Sequence, residues 1–445
     1  MRSKGMKKEK GFTLIELLAV IVILAVLLVI AVPAVSSYIT SSKKGSFISS
    51  AKLFLNQARN KVLTEKTFPR EAKEKVVIPI AELDMEKDME TSSYGNDWVK
   101  SKSYVVIENV GTSVKPIYSY SIALEDNKGY CINLILEDDL DSSVVNKSKC
   151  NIELFSEIAV SKIEKLLLTN MNEFQVDVDG NSHYYGATPN NYATFNGETA
   201  GWRILGLYTV DGEKRLKLVR DNPIGKYSWD NKNIATGAST NYGSHDWTTA
   251  RLMKLLNPGY EDEEVGGSLY WNSGSGYCYA GQNNATVPCD FKNIGLTDDA
   301  QKMIKKSTFN IGGHSTSDMS ASGMIEKERT KTGEGYVGLM TASDYGYASN
   351  LNVCTKKLYY YSSDTVNCTG TNYLFGNYWE WLLTYRTTSV YNSFYRGTVG
   401  RVYYGHDDNR VFGTGAIRPV VYLDSSVRII YGSDGTAENP FELIL

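Results

Sequence analysis

The N-terminal segment is the feature that most restricts what this chain can fold into. Residues 17–35 carry no charged side chain, and the apolar run already begins at Phe12. That length suffices for the roughly 20 residues with which a helix crosses the hydrocarbon core of a membrane. Five basic residues and one acidic residue precede the run, and positive charge holds the adjoining end in the cytoplasm. The segment therefore predicts one membrane-spanning helix followed by an exported portion.

Glu16 is the one charged residue inside this apolar run. A charged side chain costs about 2.5–3.5 kcal/mol at the centre of a membrane helix, so a compensating partner is expected. Cleavage between Gly11 and Phe12 would leave a free amine one helical turn from Glu16, at the positive end of the helix dipole. A secretory signal has a shorter apolar core, of about 7–15 residues, and a small-residue cleavage site. This run is longer and ends at Pro33.

The stretch "GFTLIELL" at residues 11–18 resembles the N-terminus of type IV pilins and type II secretion pseudopilins. The resemblance implies that prepilin peptidase cuts after Gly11, that Phe12 becomes the N-methylated first residue, that Glu16 directs filament assembly and that Pro33 kinks the helix. It further implies that the partners are other pilin subunits, the membrane and prepilin peptidase. The protein would be a single-pass membrane protein with a cytoplasmic N-terminus before assembly, and part of an extracellular cell-surface filament afterwards. A plain membrane anchor with an incidental glutamate is the alternative.

The helix is predicted to continue beyond Pro33 to about Thr64 as an amphipathic segment. Apolar residues recur there at spacings of three and four, which places them on one face of a helix: Phe47, Ala51, Phe54, Leu55, Ala58 and Val62. Short strands are predicted in segments 75–83, 101–110, 116–126 and 129–138; the last three are rich in β-branched residues or alternate in polarity, as antiparallel strands do. The sequence therefore predicts a small sheet packed on the helix, as in a pilin head.

Six cysteines form three neighbouring pairs in the sequence. An even number of cysteines outside the membrane favours disulfides, and short loops favour the pairs Cys131–Cys150, Cys278–Cys289 and Cys354–Cys368, although six cysteines allow 15 pairings. No C-x2-C or Cys/His spacing typical of a zinc site is present. No cofactor and no metal are expected.

The second half of the chain carries another resemblance. Its closing motifs, "GNYWEW" from Gly376, "YRGTVG" from Tyr395 and "AIRPV" from Ala416, are similar to those of formylglycine-generating-enzyme-like and C-type-lectin-like extracellular domains. On this interpretation Trp379, Trp381 and Leu382 are core residues. Arg418 is a buried or half-buried cation that needs a carboxylate partner.

These observations predict an α+β chain with five segments. They are a basic leader at 1–11, a transmembrane and filament-core helix at 12–35, a pilin-like amphipathic helix and β head at 36–150, a helical connector at 151–175, and a C-type-lectin-like ligand-binding domain at 176–445. The last of these is expected to have many short strands and long loops. Helices are predicted over 152–174, 247–257 and 297–307, the last with Thr297 as its N-cap.

A candidate binding face lies within residues 385–415, which are dense in Tyr, Asn, Arg and Asp. Tyrosine offers a large contact area at low entropic cost, and the chain has 31 tyrosines against 13 phenylalanines. In C-type-lectin-like proteins diversified by retroelements the variable residues occupy this late segment, so the resemblance allows the same here; ordinary solvated strands and loops are the alternative. The candidate ligand contacts are Tyr391, Asn392, Tyr395, Tyr403, Tyr404, His406, Asp407, Asp408 and Asn409.

Motifs for catalysis are absent from the sequence. It has no G-x-S-x-G elbow, no HExxH and no P-loop, so no enzymatic activity is expected. A net charge of −3 makes nucleic acid an unlikely partner. The sequence predicts a minor pilin or pseudopilin whose C-terminal domain binds an extracellular protein or glycan. The alternative is a pseudopilin of a type II secretion or DNA-uptake machine, with a domain that caps the filament tip or contacts cargo.

Overall fold

The computed structural model describes residues 13–83, 89–362, 366–404 and 410–445. The chain divides into two compact units, the first ending at Phe155 and the second spanning Ser156–Leu445. A long N-terminal helix is followed by small helices and several β-sheets. The predicted α+β class is therefore confirmed.

Helix α1 spans Leu14–Glu65. Its 52 residues make it about 78 Å long at 1.5 Å per residue. Thr13 caps its start, and Lys66 ends it in a left-handed conformation with its backbone N–H bonded to the carbonyl of Val62. The helix continues through Pro33, whose ring nitrogen has no N–H to donate. A kink at Pro33 stays a prediction.

The first unit contains a five-stranded antiparallel sheet in sequential order. Its strands are β1 Lys75–Pro79, β2 Tyr104–Asn109, β3 Tyr118–Glu125, β4 Tyr130–Leu136 and β5 Asn146–Lys147. Four of them fall within the four predicted segments. The hairpin between β3 and β4 turns at Gly129, which has a positive φ of 77°, while Asp126 Oδ1 accepts hydrogen bonds from the backbone N–H groups of Lys128 and Tyr130.

The second half of α1 supplies one side of the first unit's core. The residues that α1 buries are Phe47, Ile48, Ala51, Phe54, Leu55, Ala58 and Val62. These are the six residues of the predicted stripe and Ile48. Trp98 packs edge-on against Phe47 and Phe54, with ring centroids 5.0 and 5.7 Å apart. The predicted packing of an amphipathic helix on a small sheet is confirmed.

The second unit is built mainly from short strands. They are β6 Ser156–Ile158, β7 Phe174–Val176, β8 Ser182–Tyr184, β9 Tyr192–Phe195, β10 Glu198–Val210, β11 Glu213–Arg220, β12 Lys226–Ser228, β13 Ser275–Tyr279, β14 Thr286–Asp290, β15 Ser307–Asn310, β16 Gly313–His314, β17 Thr332–Gly335, β18 Val337–Gly338, β19 Glu380–Arg386, β20 Ser393–Arg396, β21 Val402–Tyr403, β22 Thr414–Ala416, β23 Val420–Tyr422, β24 Arg428–Ile430 and β25 Phe441–Ile444.

Two larger sheets organise this unit. The first has the order β18-β23-β11-β10-β9-β25-β24-β6, with β8 pairing to β10 and β7 pairing to β8. Its longest hairpin, β10–β11, turns at Asp211 and Gly212, which both have positive φ, as an Asp-Gly type I′ turn requires. The second sheet has the order β12-β22-β19-β20-β21, with β16 beside β19. It carries the predicted binding segment.

The helices of the second unit are short. They are α2 Ala159–Thr169, α3 Arg251–Leu256, α4 Asp298–Met303, α5 Ala321–Glu328, α6 Ala342–Tyr347 and α7 Val366–Thr369. The helix predicted over 152–174 begins later, because residues 156–158 form a strand paired with β24. The helix predicted over 247–257 is interrupted because Ala250 is extended. Ala159 and Ile163 of α2 are buried in the core of the second unit.

Three disulfides occur among the described residues. Cys131–Cys150 lies in the first unit, Cys278–Cys289 joins strands β13 and β14, and Cys354–Cys368 closes a loop of the second unit. They join the cysteines in sequential order, the pairing chosen above for its short loops.

Candidate functional site

The first half of α1 is an apolar surface without cover. Every described residue from Thr13 to Lys43 is exposed, and the most apolar 18-residue window of the helix has a mean hydropathy of 3.3. Among the described residues, α1 is the one helix long and apolar enough to cross a membrane. A helix that is apolar all round needs lipid or other protein around it.

Glu16 is held at the start of this helix by its neighbour Thr13. The Glu16 carboxylate accepts hydrogen bonds of 2.8 Å from both the backbone N–H and the hydroxyl of Thr13. The Thr13 hydroxyl in turn accepts from the backbone N–H of Glu16, at 3.4 Å. This reciprocal capping box fixes the carboxylate at the N-terminal end of the helix. Gly11 and Phe12, the predicted cleavage and methylation residues, lie outside the described residues.

The family model described as the prokaryotic N-terminal methylation motif matches residues 6–32. The chain carries the N-terminus of a type IV pilin-like or pseudopilin subunit. Such a motif fits a membrane-anchored precursor that prepilin peptidase processes and that assembles with other pilin subunits. Comparison with curated proteins and with solved structures finds no match to this chain. The resemblance of the second unit of this pilin-like chain to C-type-lectin-like domains stays a prediction.

The predicted binding face of the pilin-like chain is only partly at the surface. Tyr391, Tyr403 and Tyr404 are half-buried. Asn392 and Tyr395 are each 5% exposed, so little of either side chain reaches the surface, and their role as ligand contacts stays a prediction. Asn392 is buried because its amide oxygen accepts from the Ser389 hydroxyl at 2.5 Å and its carbonyl accepts from a backbone N–H. The other four candidates, His406, Asp407, Asp408 and Asn409, lie outside the described residues.

Tyr395 is buried because aromatic rings cover it. Its ring centroid lies 4.6 Å from that of Trp379 and 5.1 Å from that of Tyr403, with the two tyrosine rings nearly parallel. Tyr403 also stacks on Trp379 at 5.8 Å, and Tyr359 meets the edges of Tyr403 and Tyr404. The second sheet therefore presents a continuous aromatic cluster.

Trp379 is the residue of this cluster that sequence reasoning misplaced. Trp381 and Leu382 are buried as predicted, but Trp379 is 44% exposed. Trp379 immediately precedes β19, and side chains alternate along an extended chain. Since Glu380 points inward, its neighbour Trp379 points outward. Trp381 lies on the same side as Trp379 but is covered: its indole N–H donates to the Tyr227 carbonyl at 3.1 Å, and Gly415 packs against its ring. Alternation alone therefore does not tell which of the two tryptophans is exposed.

Trp379, Trp381 and Tyr395 line a cavity of about 270 Å³ with Glu380 and residues 413–415. Gly415 makes the close packing possible, because a Cβ there would meet the Trp381 ring at 2.7 Å. Glu380, although it lines the cavity, is almost fully buried and accepts hydrogen bonds from two arginines.

Those two arginines, Arg396 and Arg418, are also buried. Arg418 Nε lies 2.6 Å from Glu380 Oε1, and Arg396 Nη2 lies 2.9 Å from Glu380 Oε2. Burial alone would raise the pKa of Glu380, but the guanidiniums of Arg418 and Arg396 outweigh it and hold that pKa below its usual range. Arg418 thus has the carboxylate partner that the sequence predicted it would need. Glu380, Arg396 and Arg418 together have a net charge of +1.

A second buried polar cluster lies elsewhere in this unit and was not foreseen from the sequence. Lys217 Nζ contacts Asp344 Oδ2 at 2.6 Å, and the Tyr208 hydroxyl donates to Asp344 Oδ1 at 2.9 Å. His183 contacts Tyr208 at 3.0 Å and Asp177 at 2.8 Å. These groups satisfy one another, which is how buried charges are accommodated. Among the described residues no group of three or more His, Cys, Asp and Glu side chains could hold a metal ion.

Proposed function

We propose that this chain is a surface-filament subunit whose helix α1 enters the filament core and whose second unit is displayed as a ligand-binding, adhesive domain. The observation that carries the proposal is the contrast within α1. Its first half buries no residue, while its second half completes the core of the first unit. A helix of that kind needs neighbours of the same type once it leaves the lipid.

Glu16 supports this role because a charged carboxylate without a cation nearby costs free energy in apolar surroundings. Thr13 satisfies it locally with two hydrogen bonds, but its charge has no cation nearby in the described part of α1. The amine of a processed neighbouring subunit would supply that cation.

The test is incorporation into filaments sheared from the cell surface. Glu16→Ala is expected to lower the amount in the sheared fraction at least tenfold while the precursor stays in the membrane. Glu65→Ala is the matched control, because Glu65 is an exposed carboxylate on the same helix with only a surface pair to Lys61. Equal incorporation of wild type and Glu16→Ala would contradict the filament role.

For the second unit we propose non-covalent binding without catalysis. Its support is the half-exposed aromatic cluster around Trp379, since aromatic residues dominate contact surfaces. Adhesion of filament-bearing cells to host and bacterial surfaces would test this part. Salt-sensitive binding of DNA by the full chain, with no adhesion, would instead favour the DNA-uptake alternative.

A further inference from the structure

The cavity beside Trp379 has the walls of a ligand site. Trp379 and Trp381 line it from one strand, Tyr395 lines it from the adjacent strand β20, and residues 413–415 form the remaining wall. Trp381 and Tyr395 are held rigidly because both are buried, whereas the Trp379 indole stays 44% exposed. A half-exposed aromatic ring beside a preformed pocket is available to stack on a ligand.

The size of the cavity limits its occupant. At about 270 Å³ it lies just below the roughly 300–1,000 Å³ of pockets that hold drug-sized molecules. It therefore accommodates about one ring of a larger molecule. A nucleic-acid duplex or a folded protein surface could not enter it.

Charge decides between the two ligand classes considered for this aromatic pocket, quaternary ammonium cations and neutral sugar rings. Aromatic cages bind quaternary ammonium groups through the negative faces of their rings. Here Glu380, which lines the cavity, contacts both Arg396 and Arg418, so these three buried side chains together have a net charge of +1 and oppose a cation. The guanidiniums are themselves buried, which leaves them unable to contact an anion in the cavity.

A neutral sugar ring meets these conditions. One face of a pyranose is made of C–H groups with a slight positive charge, and it packs against the negative face of an aromatic ring. The hydroxyls at the sugar's edge need polar partners. The hydroxyl of the exposed Thr414 offers one at the cavity wall.

We infer that the cavity lined by Trp379, Trp381, Tyr395 and Thr414 binds one neutral sugar ring of an extracellular glycan. This inference rests on the proposed binding function of the second unit and adds the ligand class and the site.

The test uses the full chain, purified in detergent with its disulfides intact, on an array of oligosaccharides. The array carries neutral hexose and N-acetylhexosamine oligomers beside sialylated and sulfated ones, and phosphocholine on a carrier protein. Binding to at least one neutral oligosaccharide is expected. Trp379→Ala should weaken it at least tenfold, because the stacking surface is lost. Thr414→Trp, at an exposed position, should weaken it similarly by filling the cavity.

Tyr277→Ala is the matched control, since Tyr277 is an exposed aromatic residue on β13 outside the cavity. It should bind as wild type does, and the near-ultraviolet circular dichroism of each variant reports whether it is folded. The inference is overturned if the folded wild type binds no neutral oligosaccharide, or if Trp379→Ala and Thr414→Trp bind it as well as the wild type does. It is also overturned if phosphocholine is the ligand whose binding depends on Trp379.

Cell adhesion measured in parallel separates this inference from the proposed function. Adhesion could survive periodate oxidation of the target's sugars but be lost after protease treatment. That result would support a binding role for the second unit and would rule out a sugar as its ligand. Loss of adhesion after periodate, together with dependence on Trp379, would support both. Absence of adhesion and of filament incorporation would reject the proposed function itself.

Discussion

The first half of α1 and the second unit differ in how they treat apolar and charged side chains. From residue 13 to 43 every side chain of α1 is exposed, including a long run of leucine, isoleucine and valine. The second unit buries a large apolar core and even a carboxylate with two guanidiniums. The first region has an apolar surface that lipid or other protein would have to cover, and the second covers its core through its own long-range contacts. Substitutions in the two regions should therefore fail in different assays.

The largest effect on folding is expected at the buried carboxylate of the second unit. Glu380→Gln keeps the shape of the side chain but leaves Arg396 and Arg418 without a counter-charge. Breaking a buried ion pair in this way costs about 3–5 kcal/mol. Urea unfolding of the full chain, followed by tryptophan fluorescence, should show that loss. Glu442→Gln, an exposed site on β25, should leave the midpoint unchanged, and membrane retention should be normal for both variants.

Comparison of the wild type with Glu380→Gln also gives a prediction about pH. Because the pKa of Glu380 is lowered from its ordinary value of 4.5 in the folded state, its ion pairs stabilise the fold fully above pH 4.5. That contribution is lost as the pH falls through the folded-state pKa, since protonation removes the carboxylate charge. The difference in unfolding free energy between wild type and Glu380→Gln should therefore be greatest near neutral pH and shrink in acid. A difference that stays constant to pH 2 would contradict the assignment.

A charge in the apolar half of α1 should act on membrane retention and leave the second unit intact. Leu24→Lys replaces a favourable residue at the middle of the span by one that costs about 2.5–3.5 kcal/mol, so the total change is roughly 3–4 kcal/mol on the insertion scale. Leu63→Lys is the control, since Leu63 is an exposed position of the amphipathic half. Membrane fractionation should show loss of the first variant only. Normal retention of Leu24→Lys would show that this half does not depend on lipid.

The Cys354–Cys368 disulfide, one of two in the second unit, should have a somewhat smaller effect. Cys354 and Cys368 are separated by 14 positions, and closing a loop of about 15 residues stabilises a fold by roughly 3 kcal/mol in the chain-entropy account. Replacing both by serine should lower the unfolding free energy of the second unit by that order. Replacing Cys131 and Cys150 of the first unit should leave the second unit's transition unchanged. A common shift for both pairs would mean that the units unfold as one.

The same contrast explains what could be predicted from sequence. Local periodicity gave α1, its buried stripe and the four longer strands of the first unit, because each depends on neighbours a few positions away. Contacts between distant residues were not accessible in this way. Strand β6 pairs with β24, and Arg428 reaches Ser156 across 272 positions. No local pattern encodes that pairing, so residues 156–158 were predicted as helix.

The candidate site also depends on contacts between residues that are distant in the sequence. Arg418 was expected to need a carboxylate, but its partner Glu380 lies 38 positions earlier and could not be named from spacing. Trp379 was assigned to the core together with Trp381 and Leu382, on the resemblance of the closing motifs. Its exposure depends on Glu380 pointing inward to two arginines, and thus on the same distant contacts.

The smallest effect is expected at helix caps, where the two regions use the same chemistry. Thr297 was predicted as an N-cap, and its hydroxyl accepts from the backbone N–H of Ala300 at 3.3 Å. Thr297→Ala should therefore lower the unfolding free energy of the second unit by about 1 kcal/mol, measured in urea.

Thr13→Ala removes the equivalent cap of α1 and the hydroxyl that bonds Glu16. It should not change that unfolding transition, but it should reduce filament incorporation, because the Glu16 carboxylate loses one of its hydrogen-bond donors. If Thr13→Ala shifted the urea midpoint as Thr297→Ala does, the start of α1 would contribute to the stability of the second unit, and the proposed division of roles would be wrong.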